Sequence, residues 1–196
     1  MVDCNQGWRF PWDTMSAWTF KDALAIGREL ERLKVYWMEE PLDRADRPGM
    51  RRLREALDVR PAGGELDREL SELRDVVTEG CLDVVQRDVV AVGGITGLQK
   101  IAHLCQQSNV IFTPHTWGNG IGLLANAHLT GGTSDQGFLE FPWDPPEWTL
   151  ERRDFMFKKP VDIDVRGDLV LSDAPGLGFD LDEDALARTK VAGDVI

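Results

Sequence analysis

Positive charge is scarce in this chain. Its 196 residues contain 22 Lys and Arg against 34 Asp and Glu, which gives a formal net charge of −12. Nucleic acids and anionic membrane surfaces are bound through clustered Lys and Arg, so this balance argues against nucleic acid and membrane as partners. A small anion beside a local cation stays compatible with it.

Long apolar runs and a cysteine framework are also lacking. No run reaches the roughly eighteen apolar residues of a membrane-spanning helix, and Met1 is followed by "VDCNQGW" rather than by a basic and then an apolar segment. We therefore expect a soluble, cytoplasmic protein. Cys4, Cys81 and Cys105 are odd in number and far apart, which argues against disulfides and zinc ribbons and favours small core or near-site residues.

Helical periodicity alternates with short apolar runs along most of the chain. Predicted helices cover 22–33, 50–57, 69–79, 97–107 and 120–129, and predicted strands include 35–38, "VRPAGG", "LDVVQ", "VIFTP" and "GFLEF", with a partial strand at "MVD". Strands separated by helices of about ten residues indicate parallel βα units, because parallel neighbours need a crossover connection. The expected fold class is α/β.

The alternation stops after Pro142. The remaining sequence contains "DAPGLGF", a short predicted edge strand at Leu169 to Leu171, and the acidic "DLDEDAL", which is typical of a solvated helix start. We expect residues 1–145 to form a partial barrel that carries the site, and residues 146–196 to form a tail that would normally pack on the barrel and on a capping domain.

Ionisable residues recur where the predicted strands end. In a βα barrel these ends share one face, and that face carries the chemistry. The residues are Asp3, Glu39, Glu65, Asp88, His115 and Glu140.

Three of these carboxylates, Asp3, Glu39 and Glu65, follow successive strands. They would repel one another in a dry site unless a cation lay between them. Oxygen-only ligands favour Mg²⁺ over zinc. Each residue alone is also an ordinary turn residue, so their shared position carries the prediction.

Asp88 and His115 form a second candidate group, at the ends of neighbouring strands. An aspartate that orients an imidazole raises its basicity, which makes His115 a candidate general base. The alternative is an ordinary loop histidine. His103 and His128 fall within predicted helices and are interpreted as structural.

The motifs "VDCNQGW", "YWMEEPL", "AGGE", "VVQRDVVAVGGITG" and "PHTWGNGIGLLAN", in this order, resemble the enolase superfamily, within it the mandelate racemase and muconate lactonizing enzyme-like group. The resemblance spans almost the whole chain. It implies a TIM-type (β/α)8-like barrel, truncated at its amino terminus to about six of eight βα units and lacking a capping domain.

The resemblance also implies roles for the strand-end residues. Asp3, Glu39 and Glu65 would bind Mg²⁺, and Asp88 and His115 would form a dyad in which His115 exchanges the proton alpha to a substrate carboxylate. Glu140 would hydrogen-bond the enediolate, and Asn5 would touch the metal shell or substrate. Glu40 is expected to point away by strand alternation and to support structure.

Three departures from the family pattern separate the hypotheses. The capping domain and the Lys-x-Lys strand are absent, and "RFPWDTMSAW" lengthens the loop after Asp3 over the expected site face. We expect a Mg²⁺-dependent sugar-acid dehydratase, or the carboxyl-terminal part of one. The alternatives are a non-catalytic remnant or assembly fragment, a racemase or epimerase of a hydroxy acid, and a simple metal or carboxylate binder. A homo-oligomer or a complementary amino-terminal chain is an expected partner.

Overall fold

A computed structural model of the chain describes residues 1–9, 11–133 and 137–190. One parallel sheet organises them, with its strands in sequence order. The strands are β1 (Val2–Asp3), β2 (Trp37–Glu39), β3 (Arg60–Gly63), β4 (Val84–Val85) and β5 (Ile111–Phe112). Asp3 pairs with Glu39 and Glu39 with Ala62, so the ends of the first strands stand at one level. The predicted α/β class with parallel strands is confirmed.

A helix follows each strand. The helices are α1 (Phe20–Arg32), α2 (Arg47–Ala56), α3 (Leu70–Thr78), α4 (Gly94–Gln107), α5 (Gly120–Thr133), α6 (Leu150–Arg153) and α7 (Glu183–Thr189). Several begin earlier than the apolar periodicity predicts, because capping residues set their starts. Thr19 and Asp22 form a capping box at α1, and the Asp46 side chain accepts from Gly49 N at α2.

The sheet buries residues on both of its faces. Met38 and Val85 pack into the large core under the helices, whereas the adjacent Trp37 and Val84 belong to a smaller cluster on the opposite face. This alternation follows from the two-residue period of extended backbone. Cys81 and Cys105 lie in the large core as free thiols, as predicted, and Cys4 is half-buried beside it.

Two predicted strands do not form. "GFLEF", at residues 137–141, contains no strand, so the described residues give five βα units rather than six. Thr113 Oγ1, next to β5, donates to Phe138 O at 2.9 Å, so a side-chain hydrogen bond links this segment to the residue after β5. Residues 169–171 likewise contain no strand, and the nearby chain instead turns between Asp164 and Asp168.

The segment after Pro142 packs on α5. Leu124 of α5 joins Met156 and Phe157 in an apolar cluster. Beside it lies a buried ion pair, in which Arg153 Nε donates to Asp154 Oδ1 at 2.7 Å. Within the described ranges, no helix has the length and apolar character needed to cross a bilayer.

Candidate active site

The segment after β1 lies against the end of β2. Gln6 N donates to Glu40 O at 2.8 Å, and Trp18 N donates to Gln6 Oε1 at 3.0 Å. Gly7 N donates to the Glu40 carboxylate, and a Cβ atom at position 7 would stand 2.2 Å from Glu40 Oε1. A glycine is required for this close approach.

Asn5 and Asp3 form one hydrogen-bonded unit at the end of β1. Asn5 N donates to Asp3 Oδ1 and Asn5 Nδ2 donates to Asp3 Oδ2, both at 2.8 Å. Asn5 adopts a left-handed conformation with φ 50°, which asparagine tolerates better than most residues. The pair therefore holds the Asp3 carboxylate in one orientation.

Glu39 and Glu40, at the end of β2, both lie close enough to Asp3 for its charge to affect their pKa values. Burial raises the pKa of Glu39, and a hydrogen bond from Gln86 partly opposes this rise. Burial together with the charges of Glu65, Asp3 and Glu39 raises the pKa of Glu40 to about 8. β2 ends at Glu39 and Glu40 has φ 44°, so strand alternation does not fix the direction of Glu40.

Glu65 and Glu140 also lie close enough to Asp3 and Glu39 for those charges to affect their pKa values. Burial, followed by the charges of Glu39 and Asp3, raises the pKa of Glu65 to about 7. Burial also raises the pKa of Glu140 to about 7, against a hydrogen bond donated by Thr116 N. Burial, reinforced by neighbouring carboxylates, thus favours the protonated form of both carboxyls.

His115 lies between two of these carboxylates. Its Nε2 is 3.3 Å from Glu65 Oε2 and 3.9 Å from Glu140 Oε2. Burial lowers the pKa of His115, while the charge of Asp88 opposes that effect. The imidazole is therefore neutral at neutral pH, the state that a general base requires.

Asp88 acts on His115 electrostatically and shares a hydrogen-bond partner with it. Asp88 Oδ1 accepts from Asn126 Nδ2 and Val90 N, each at 2.9 Å, and Asn126 Nδ2 also reaches His115 O at 3.3 Å. No direct Asp88–His115 hydrogen bond occurs within the described ranges. The sequence interpretation missed Asn126, although an asparagine inside the apolar "GLLANAHL" was a usable signal.

A cavity of about 290 Å³ adjoins the carboxylates. Asp3, Glu39 and Glu140 lie on its wall, together with Gln86 and Thr113. Its apolar lining includes Trp37 and Phe138, whose rings meet edge-on with centroids 6.0 Å apart. Such a space, apolar with a few polar groups, is typical of a small-ligand site.

The donor set suits a hard cation, although it is not gathered into a closed site. Within the described ranges, no three His, Cys, Asp or Glu side chains form a metal-binding group. Burial and then the charge of Asp3 nevertheless raise the pKa of Glu39, and burial followed by the charges of Glu39 and Asp3 raises the pKa of Glu65. Oxygen donors that repel one another fit Mg²⁺ chemically.

These raised pKa values predict a pH effect on stability in chelator. A carboxyl whose folded pKa exceeds its ordinary value contributes stability below pH 4.5 and loses it as pH rises through the folded value. For Glu40 that loss extends to about pH 8. His115 opposes it, because its lowered pKa favours folding above about pH 6.5.

The difference between wild type and Glu40→Gln isolates this effect. Between about pH 5 and pH 8, the melting temperature of Glu40→Gln is expected to fall less than that of wild type, since glutamine cannot ionise but can still accept from Gly7 N. Thermal melts monitored by circular dichroism would measure it. Equal slopes for the two proteins would contradict the assignment.

Comparison with known proteins gives the family. A family model described as "Enolase C-terminal domain-like" matches residues 1–185. Among characterised relatives, arabinonate dehydratase of Saccharolobus solfataricus is 33% identical over 181 residues, covering 91% of this chain and 46% of that protein.

Solved structures agree. The 3,6-anhydro-D-galactonate cycloisomerase from Zobellia galactanivorans superimposes with a TM-score of 0.80 at 31% identity, over 96% of this chain and 49% of that one. L-talarate/galactarate dehydratase from Salmonella typhimurium, liganded with Mg and L-lyxarohydroxamate, gives a TM-score of 0.78 at 29% identity, over 97% and 42%.

The matches extend over nearly all of this chain. The chain spans less than half the length of the relatives compared, so they carry as much sequence again outside the matched region. The parallel βα order of the sheet agrees with the resemblance that the strand-end motifs indicated. The chain therefore belongs to the enolase C-terminal domain-like family, in the branch that contains acid-sugar dehydratases and mandelate racemase-like proteins.

Proposed function

We propose that this chain carries the catalytic face of a Mg²⁺-dependent sugar-acid dehydratase. The observation that carries the proposal is the position of His115 Nε2, 3.3 Å from Glu65, beside partly buried carboxylates that follow parallel strands. The dehydratase activities printed for relatives support the reaction class. Residues 1–145 would form the partial barrel that carries the site, and residues 146–196, of which 191–196 lie outside the described residues, would pack on the barrel and on a capping domain.

Asp3, Glu39 and Glu65 are the proposed metal ligands, and Asn5 is proposed to touch the metal shell or substrate. Bound Mg²⁺ would supply positive charge against the dianion that forms when a proton leaves the carbon alpha to a carboxylate. Asn5 already holds Asp3 through two hydrogen bonds. Two of the three proposed ligands, Glu39 and Glu65, have pKa values raised by burial and by neighbouring carboxylates, which a bound cation would offset.

His115 is proposed to remove the alpha proton, and Glu140 to hydrogen-bond the resulting enediolate. A neutral imidazole accepts this proton, and a Glu140 carboxyl with a pKa raised to about 7 is partly protonated near neutral pH and can donate. The electron pair of the broken C–H bond first moves into the substrate carboxylate to give the enediolate, and its return forms the alpha–beta double bond as the beta C–O bond breaks. The proton on His115 leaves with the hydroxyl as water.

A complementary amino-terminal chain, or a second copy of this one, is the proposed partner. Among the described strands, β1 and β5 each pair on one side only. Unpaired strand edges favour pairing with another chain. We also propose a cytoplasmic location, in keeping with the free thiols of Cys4, Cys81 and Cys105.

Proton exchange tests the proposed function. The chain would be incubated in D₂O with Mg²⁺ and a panel of sugar acids that includes arabinonate and galactarate, and proton NMR would follow the alpha-proton signal. We expect that signal to fade, with 2-keto product for a true substrate and with neither change in excess chelator. If none of the sugar acids loses its alpha-proton signal or gives a product, the proposal is contradicted and a non-catalytic remnant is favoured.

A further inference from the structure

Asn126 is a fully buried polar residue in the middle of α5. Its exposed fraction is 0%, and the flanking Ala125 and Ala127 are also buried. A buried amide without partners is destabilising, so its hydrogen bonds account for its place in an apolar helix.

Both ends of the Asn126 amide are used. Nδ2 donates to Asp88 Oδ1 at 2.9 Å and to His115 O at 3.3 Å, while Oδ1 accepts from Val89 N at 3.0 Å. The donors thus reach the residues that follow β4 and β5, and the acceptor ties the amide to the loop after β4. One side chain connects two strand ends.

The three partners also fix the orientation of the amide. Rotating it by 180° would place the amide oxygen against the Asp88 carboxylate and the His115 carbonyl, and the amide nitrogen against the Val89 N–H. Every contact would then join like groups. Neither an apolar residue nor an aspartate at position 126 can make the same set of bonds.

We propose that Asn126 is a positioning residue that fixes the Asp88 carboxylate and the His115 backbone relative to each other. This relative position is called the register. Without it, the loops after β4 and β5 lose their shared buried contact, and the imidazole is no longer held at one distance from its reaction partner. The register itself depends only on the hydrogen bonds described, whereas its catalytic consequence rests on the proposed function.

Histidine NMR tests the register without needing activity. The chain has three histidines. His128, on the same helix, faces Leu177 O at 3.4 Å, and His103 is exposed on α4. In Asn126→Leu, a substitution that keeps the branched shape and the number of side-chain heavy atoms, we expect the His115 ring signals to shift or broaden while those of His103 and His128 stay in place.

Thr133→Val is the matched control. It removes a buried hydroxyl of the same helix, whose hydrogen bond to Leu129 O lies within α5. We expect all three histidine signals to stay in place. Unchanged His115 signals in Asn126→Leu, or equal shifts of all three histidines, would overturn the proposal.

Kinetics provide the second readout where the chain exchanges alpha protons. Asn126→Leu is expected to lower kcat for exchange by about tenfold or more with little change in KM, because misplacing a base affects the chemical step. A matched loss in Thr133→Val, or a change confined to KM, would overturn the positioning role. If wild type shows no exchange, the proposed function fails and the histidine signals alone decide the register.

Amide hydrogen exchange in wild type tests the same hydrogen bonds without any substitution, so the result does not depend on whether a variant folds. The side-chain amide protons of Asn126 are expected to persist in D₂O well after those of Asn109, which is exposed. Equally fast exchange at both positions would show that the Asn126 hydrogen bonds do not hold, and would overturn the proposal.

Discussion

His115→Asn is expected to slow alpha-proton exchange by about 10²–10⁴-fold, the usual contribution of a positioned general base. Asparagine keeps a polar group of moderate size but cannot accept a proton at neutral pH. The burial that lowers the pKa of His115 and its 3.3 Å distance from Glu65 both follow from its place after β5. The rate would be measured by proton NMR in D₂O with Mg²⁺.

His103→Asn is the control for this substitution. It makes the same chemical change on the exposed side of α4, so we expect the exchange rate to stay within a factor of about two of wild type, within the scatter of distant surface changes. A rate in His115→Asn close to that of His103→Asn would assign the proton transfer to another group.

Asp154→Ala is expected to cost about 3–5 kcal/mol of unfolding free energy, because it leaves the Arg153 guanidinium buried without its counter-ion. The exposed fractions are 0% for Arg153 and 1% for Asp154. The Asp154 carboxylate also accepts from Val161 N at 2.7 Å, so this bond is lost as well. Urea denaturation, compared with wild type, would measure the loss.

Two comparisons separate the buried charge from a general effect of substitution. Arg153→Met combined with Asp154→Leu removes both charges and is expected to cost less than Asp154→Ala alone. Asp168→Ala breaks an exposed pair, in which Arg166 and Asp168 stand 3.1 Å apart, and is expected to change stability by no more than about 1 kcal/mol. Equal costs for all three variants would contradict the account.

The fold was predictable because its elements have strong sequence periods. Apolar residues at helical spacing in α1, α3 and α4, and apolar strands between them, are local signals that the packed structure retains. Helix starts were less predictable because they depend on caps such as Asp46. "GFLEF" has a strand-like pattern, yet its pairing depends on a neighbour that the pattern does not contain.

The candidate site was predictable only where it follows strand order. Parallel strands bring their ends to one face, so the positions of Asp3, Glu39 and Glu65 at that face could be inferred from order alone. Asn126 could not be found in this way, because a helix residue that reaches two strand ends depends on tertiary packing. The charge of Glu40 likewise depends on its burial.

Magnesium-dependent melting tests the central claim, that the strand-end carboxylates hold a divalent cation. Circular dichroism melts of wild type, Glu39→Gln and the exposed control Glu55→Gln would be compared in Mg²⁺ and in chelator. Mg²⁺ at about 100 times its Kd should stabilise wild type and Glu55→Gln by about 2.7 kcal/mol, and Glu39→Gln should lose this gain. A wild-type transition indifferent to Mg²⁺, or an equal gain in Glu39→Gln, would contradict the account.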